Sequence, residues 1–209
     1  MVIFGLTGPS GSGKAVVGEA FTARGIPVLD TDAVYHFWIA SDTPCTRELR
    51  DAFGVNILAE NGGVDRRALA ARVFCGGDEE KRRLSLLNAI THKYVIRSCE
   101  DWIGEQKTLG KAAAVIDAPL LIESALHKKC DCVLAVLAPK DKRLARIMRR
   151  DGLSHEAAEA RISAQPSDDF YREHADFVFL NDGERSAADR FVTEKILKYI
   201  PDMKNDGKE

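Results

Sequence analysis

The sequence predicts an α/β fold: a five-stranded parallel sheet with helices on both faces, built around a phosphate-binding glycine loop. Three observations predict it. The apolar run Val2-Ile3-Phe4-Gly5-Leu6 leads directly into Gly8-Pro9-Ser10-Gly11-Ser12-Gly13-Lys14. Four further short apolar runs, at 26–29, 113–116, 133–137 and 177–180, are separated by helical stretches. These runs are largely unalternated, which is how strands buried on both faces look, and intervening helices favour parallel pairing.

The first run ends in a Gly-x-x-x-x-Gly-Lys turn. That spacing lets successive backbone N–H groups point inward at phosphates, in conformations and at contact distances that glycine tolerates. Lys14 adds a point charge for the β- and γ-phosphates. Beyond the loop, Val17, Ala20, Phe21 and Arg24 fall at helical spacing and Gly25 stands where a C-terminal cap belongs. Position 15 departs from the motif: a Ser or Thr hydroxyl that would ligate Mg²⁺ is replaced by Ala15, and a methyl group cannot ligate. Residues 8–15 are thus the expected ATP site, Pro9, Ser10 and Ser12 included.

In such sheets ligands gather beyond the carboxyl ends of the strands. After the run 26–29 come Asp30-Thr31-Asp32, two carboxylates that share a side if the chain stays extended. They read as a general base with a partner that orients groups or holds Mg²⁺ waters, or equally as caps of a helix starting near Ala33. After the run 113–116 comes Asp117, placed like the second metal-holding carboxylate of such folds, followed by Pro119-Leu120-Leu121. After the run 133–137, Arg143, Arg146 and Arg150 lie at i, i+3 and i+7, one helical face able to close over phosphate oxygens or simply to stay solvated. Gly152 breaks that helix and Ser154 restarts one through Gln165, which suits a mobile lid over 138–165.

These signals divide the chain into a nucleotide-binding core over 1–32, a helical acceptor-binding subdomain over 33–110, further core over 111–137, the lid, and core again over 166–201. A charged tail over 202–209 reads as disordered. Within the insertion, Arg66-Ala68-Leu69-Val73-Phe74 and Leu84-Leu87-Ile90 follow helical periods, punctuated by Asn61-Gly62-Gly63 and Cys75-Gly76-Gly77. Near the end, Ser186 to Asp189 resembles a helix start, with Val192, Ile196 and Ile200 as its buried stripe.

Composition narrows the partners. The 209 residues are 45% hydrophobic and 30% charged with a net charge of −2, so no basic balance points to nucleic acid or a membrane surface. No apolar stretch approaches a membrane span, the start lacks a signal-peptide pattern, and cytoplasmic location is the expectation. The five cysteines are odd in number and unpaired in spacing, which argues for free thiols and against a metal at Cys130-Asp131-Cys132.

Taken together, these residues resemble the dephospho-coenzyme A kinase family from Ile3 to about Ile200. The resemblance is carried by Gly5-Leu6-Thr7-Gly8 with Gly11 to Lys14, Asp30-Thr31-Asp32, Asp65-Arg66, Leu69, Val73-Phe74, His92, Pro119-Leu120-Leu121 with Glu123, Arg146, Arg150-Asp151-Gly152, Gln165, Ala175-Asp176 and Asn181. It implies a P-loop kinase-like fold and transfer of the ATP γ-phosphoryl group, with Mg²⁺, to the ribose 3′-hydroxyl of dephospho-coenzyme A. It also implies Asp32 as base, Lys14, Arg146 and Arg150 on the phosphates, and Asn181 on the adenine side. Asp30, Arg66, His92, Pro119 and Leu120 would meet the acceptor, and Asp32 and Asp117 would hold the metal through water. A monomer or weak oligomer is expected. Besides Ala15, the chain departs from the family at His36 (Arg), Lys93 (Pro), Arg143 (Gln) and Tyr171 (Lys). Those departures leave two alternatives: a degenerate homologue that binds nucleotide with little turnover, or a P-loop kinase with another hydroxyl acceptor.

Overall fold

The computed structural model describes residues 1–200; position 201 and the tail expected over 202–209 lie outside them. Five strands, β1 (Val2–Thr7), β2 (Val28–Asp30), β3 (Ala113–Asp117), β4 (Cys132–Leu137) and β5 (Phe177–Leu180), form one sheet in the order β2-β3-β1-β4-β5, every pair parallel. All five apolar runs are therefore strands, and the glycine loop leaves the central one.

The described residues form two compact units: residues 1–30 with 103–200, and residues 31–102. In the first, α1 (Lys14–Thr22) and α9 (Arg185–Phe191) cover one face of the sheet. Phe4, Leu6, Leu134 and Val136 meet Val17, Phe21, Val192 and Ile196 there, and the Phe4 and Phe21 rings lie 5.7 Å apart. Ala135 and Leu137 point the other way, towards Ile122 and the buried Tyr171 of α8 (Asp168–His174). The period of two thus serves two cores rather than a core and solvent, which explains the continuous apolar runs. Each fully buried Phe or Leu in these layers contributes about 1.5–3 kcal/mol.

Helix ends follow the sequence closely. Regular α-helix stops at Thr22 and a tightened turn runs on to Gly25 (φ 72°), where the Gly25 and Ile26 amides donate to Thr22 and Phe21 carbonyls at 2.9 and 3.2 Å. Residues 138–165, expected as a lid, form α6 (Lys140–Asp151), ended by Gly152 (φ 65°), then α7 (His155–Ser163), capped by Ser154. Helix α8 was missed, although Ser167 before two aspartates is a standard start signal, and its side chain accepts from the Phe170 amide. The predicted C-terminal stripe of Val192, Ile196 and Ile200 is fully buried, but as a π-turn and a 3₁₀ turn after α9 rather than one α-helix.

Two aspartates pin strand starts. Asp131 Oδ2 accepts the Ile3 amide and Asp176 Oδ2 the Val133 amide, both at 2.8 Å, while their own amides donate back to the carbonyls of Ile3 and Val133. Each carboxylate extends the parallel ladder by one bond where the neighbouring strand has not yet begun. The Cys130-Asp131-Cys132 and Ala175-Asp176 elements are structural for that reason.

The second unit comprises α2 (Thr31–Ile39), α3 (Pro44–Phe53), α4 (Arg66–Val73) and most of α5 (Gly77–Thr108) around Ile39, Leu49, Phe53, Ile57, Leu69 and Val73. Asp65 caps α4 by accepting the Arg67 and Ala68 amides. Lys93 sits inside α5, where a proline would remove a helix hydrogen bond; instead its ammonium holds both oxygens of Glu48 at 2.6 and 2.7 Å, with Tyr94 Oη donating to the same carboxylate.

Candidate active site

Between β1 and α1 the chain reverses through three glycines whose surroundings exclude a side chain. A Cβ on Gly8 (φ 141°) would lie 2.1 Å from the Val136 carbonyl oxygen, one on Gly11 (φ 78°) 2.7 Å from that of Arg143, and one on Gly13 (φ 87°) 2.3 Å from Asn181 Nδ2. The loop is therefore pressed onto β4, α6 and Asn181, and only hydrogen fits at those positions. Gly13 opens α1 without a side-chain cap, so the first amides of that helix, Lys14 and Ala15 among them, have no helical carbonyl to meet. That is the electrostatic setting in which an anion binds. Lys14 Nζ donates to the Gly8 carbonyl at 3.3 Å, folded across the loop it is expected to serve.

The outward carbonyls of the loop are all taken. Arg143 Nε donates to Ser10 O at 3.1 Å; Arg146 donates through one terminal nitrogen to Gly11 O and Ser12 O, each at 3.0 Å; Asn181 Nδ2 donates to Ser12 O at 2.8 Å. Arg146 also reaches Asn181 Oδ1 at 3.4 Å, and Arg150 reaches Ser10 Oγ at 3.3 Å. The arginine face of α6 thus meets the loop, and it divides by burial: Arg143 is 5% exposed, whereas Arg146 is half-buried and Arg150 exposed. Burial draws the Arg143 guanidinium's pKa down, with Asp168 and Tyr171 opposing. Burial, then Glu123, push the Tyr171 phenol up to about 12 while Arg143 pulls it back. The Arg150 guanidinium, then Arg161, holds the Asp151 carboxyl below its ordinary range. Ser12 Oγ is buried and meets no hydrogen-bond partner among the described residues, a group that in a phosphate loop stands ready for an anion or its water.

The carboxylates require a correction. Helix α2 begins at Thr31, two residues before the expected start, so Asp30 ends a strand while Asp32 lies in the first helical turn. The chain is not extended across them, and the shared-side argument fails. Asp30 instead pairs in register with Asp117 across β2 and β3, and parallel neighbours in register present their side chains to the same face of the sheet. Asp117 is half-buried and Asp30 exposed. Pro119 follows on the same side of the sheet order, its carbonyl accepting from Thr7 Oγ1 at 3.4 Å; Leu120 is exposed and Leu121 buried.

In the first unit the structure thus assembles residues 8–15, Asp30, Asp117, Pro119, Leu120, Arg146, Arg150 and Asn181, while Asp32, Arg66 and His92 belong to the helical unit. Arg66 opens α4 and lowers the pKa of Tyr35 against the dominant effect of burial. His92 lies in α5, where burial lowers its pKa. His36 is exposed on α2, its ring 5.6 Å from that of Tyr35. Sequence reasoning missed the structural use of Arg143 and Gln165 on Ser10.

Comparison with known proteins shows the family to which the chain is similar. The dephospho-CoA kinase family pattern matches residues 2–187. A dephospho-CoA kinase of Anaeromyxobacter dehalogenans is 37% identical over 198 residues, 93% of this chain and 92% of that one. One of Corynebacterium efficiens is 34% identical over 202 residues, 95% and 99% of the two chains. The crystal structure of TT1252 from Thermus thermophilus superposes with a TM-score of 0.76 at 33% identity, covering 92% of this chain and 95% of that one.

Proposed function

Because the chain belongs to the dephospho-CoA kinase family, whose members phosphorylate the ribose 3′-hydroxyl of dephospho-coenzyme A with ATP to give coenzyme A and ADP, we propose that residues 8–14 hold the triphosphate and Asp32 takes the acceptor's proton. The observation that carries the nucleotide part is the loop itself: three glycines without room for a Cβ, and carbonyls turned out onto α6 and Asn181. A peptide plane carries its C=O and the next N–H in opposite directions. The held carbonyls of Ser10 and Ser12 therefore turn the Gly11 and Gly13 amides the opposite way, towards the phosphates, while the Ser12 amide donates to the Pro9 carbonyl at 3.1 Å and closes the turn.

In this reading Lys14 exchanges the Gly8 carbonyl for phosphate oxygens as ATP enters. Arg146 and Arg150, the less buried members of the α6 face, swing from loop oxygens onto the transferring group, where they neutralise charge that grows towards the transition state. Asn181, which fixes Ser12 from below, leaves its edge for the adenine side. Asp32 accepts the 3′-hydroxyl proton as the oxygen attacks phosphorus, and Asp30, Arg66, His92, Pro119 and Leu120 serve the acceptor. The chain acts in the cytoplasm as a monomer or weak oligomer. Neither the degenerate nor the other-acceptor alternative draws support from relatives 34% and 37% identical over nearly the whole chain.

Mg²⁺ fits the residues present, though not in the usual way. Among the described residues no group of three or more His, Cys, Asp or Glu side chains could hold an ion, and Ala15 offers only a methyl. Mg²⁺, however, binds mostly through phosphates and water with one or two carboxylates, and Asp117, with Asp30 in register beside it, would supply these. When bound, the ion would neutralise phosphate charge. Ala15→Ser restores the hydroxyl and is expected to lower the Mg²⁺ concentration for half-maximal rate several-fold and to raise kcat; a Mg²⁺ titration unchanged by the substitution would show that position 15 does not face the ion.

The function is tested by incubating the purified chain with Mg-ATP and dephospho-coenzyme A and following mass. Coenzyme A and ADP in equal amounts are expected; ATP binding without either product would refute it.

A further inference from the structure

We propose that Arg143 is a positioning residue of the phosphate cradle, holding Ser10 by its carbonyl so that the Gly11 amide is aimed at the phosphates before any nucleotide arrives. The proposal rests on reading residues 8–14 as the ATP site. It assigns to a buried arginine a role different from that of its neighbours Arg146 and Arg150.

Ser10 is held on both of its peptide planes. Its amide donates to Gln165 Oε1 at 3.0 Å and its carbonyl accepts from Arg143 Nε at 3.1 Å, while a terminal nitrogen of Arg143 donates to the same Gln165 Oε1 at 3.1 Å. The other terminal nitrogen faces Asp168 Oδ1 at 3.4 Å, at the start of α8. One guanidinium therefore ties three segments, the loop, the end of the lid segment and α8, through three different nitrogens. Only a planar fork with donors on each edge can do this; an ammonium or an amide reaches too few of these oxygens at once.

Its burial makes the tie permanent. The Arg143 side chain is 6% exposed, and the Arg143 backbone is what excludes a Cβ from Gly11. Arg146 and Arg150 can leave the loop for a ligand; Arg143 cannot leave without opening a buried charge to no partner. What it contributes is preorganisation: the rigid peptide plane between Ser10 and Gly11 is fixed at its oxygen, so its N–H need not be ordered when phosphate binds. Asp168 and Tyr171 both belong to α8, and Tyr171 is buried as Arg143 is.

The test measures Mg²⁺-free binding of ATP and of inorganic tripolyphosphate by calorimetry, and the ATP dependence of the steady-state rate, for the full chain and for Arg143→Gln and Arg143→Lys. For Arg143→Gln both dissociation constants and the KM for ATP are expected to rise by one common factor of about ten, with kcat within about threefold, because transition-state charge is met by other groups. Arg143→Lys is expected to be as weak as Arg143→Gln, since the charge survives but the fork does not. Affinities within twofold of the unsubstituted chain, or full rescue by lysine, would overturn the proposal. If Arg143→Gln does not fold, Gln165→Leu removes the acceptor that Ser10 and Arg143 share: weakened tripolyphosphate binding supports the tie, and unchanged binding overturns it. Failure of the unsubstituted chain to bind either anion would instead refute the ATP site.

Discussion

Gly8→Ala is expected to weaken ATP binding about a hundredfold, the equivalent of roughly 3 kcal/mol. The methyl carbon would lie 2.1 Å from the Val136 carbonyl oxygen, and φ at 141° is a conformation that alanine rarely adopts. The obstacle is main chain of β4, a strand hydrogen-bonded on both sides to β1 and β5, so it cannot step aside. The loop must move instead, and with it the carbonyl that Lys14 holds and the hydroxyl of Ser12, 3.2 Å from the new carbon. Strain at such a position costs on the order of 1–3 kcal/mol even without a clash. Calorimetric titration with ATP reads the loss directly, and circular dichroism separates it from unfolding. Binding within threefold of the unsubstituted chain would contradict the cradle described here.

Asp32→Asn is expected to lower kcat by a factor of about 10²–10⁴ while the KM for ATP changes little. The amide keeps the shape of the carboxylate but cannot accept the hydroxyl proton. Helix α2 starts one residue earlier, so substitution in its first turn trades a favourable charge–dipole contact of about 0.3–1 kcal/mol for a neutral one, too little to unfold the chain. Steady-state rates at saturating ATP and dephospho-coenzyme A check the prediction. A kcat within threefold of the unsubstituted chain would remove Asp32 from proton transfer and leave it a helix-start carboxylate.

What the sequence made legible was local. The glycine spacing gives the turn its shape from residues eight to fourteen, and each apolar run marks a strand, buried on both faces in β1, β3 and β4 and partly exposed in the edge strands β2 and β5. The Gly25, Gly152 and Ser154 punctuation marks helix ends because φ and capping are decided within a few residues. The support of the loop was not legible in this way. Arg143 meets Ser10 across 133 positions, Asn181 meets Ser12 across 169, and Asp131 meets Ile3 across 128. No period or spacing carries such pairings; the strand order β2-β3-β1-β4-β5 does, by bringing β4, α6 and the end of β5 beside the loop. The same order put Asp30 beside Asp117, a pairing by register that replaces the one inferred from an extended Asp30-Thr31-Asp32. Helical periodicity placed Arg143, Arg146 and Arg150 on one face correctly. It did not tell that the first of them is buried and the last exposed.

The most direct measurement is a calorimetric titration of the chain with ATP in Mg²⁺-free buffer, repeated with Lys14→Ala. One ATP per chain, bound markedly less tightly once the lysine is gone, is the result expected of a triphosphate seated among the amides of residues 8–14. No heat of binding, or binding indifferent to Lys14, would contradict it.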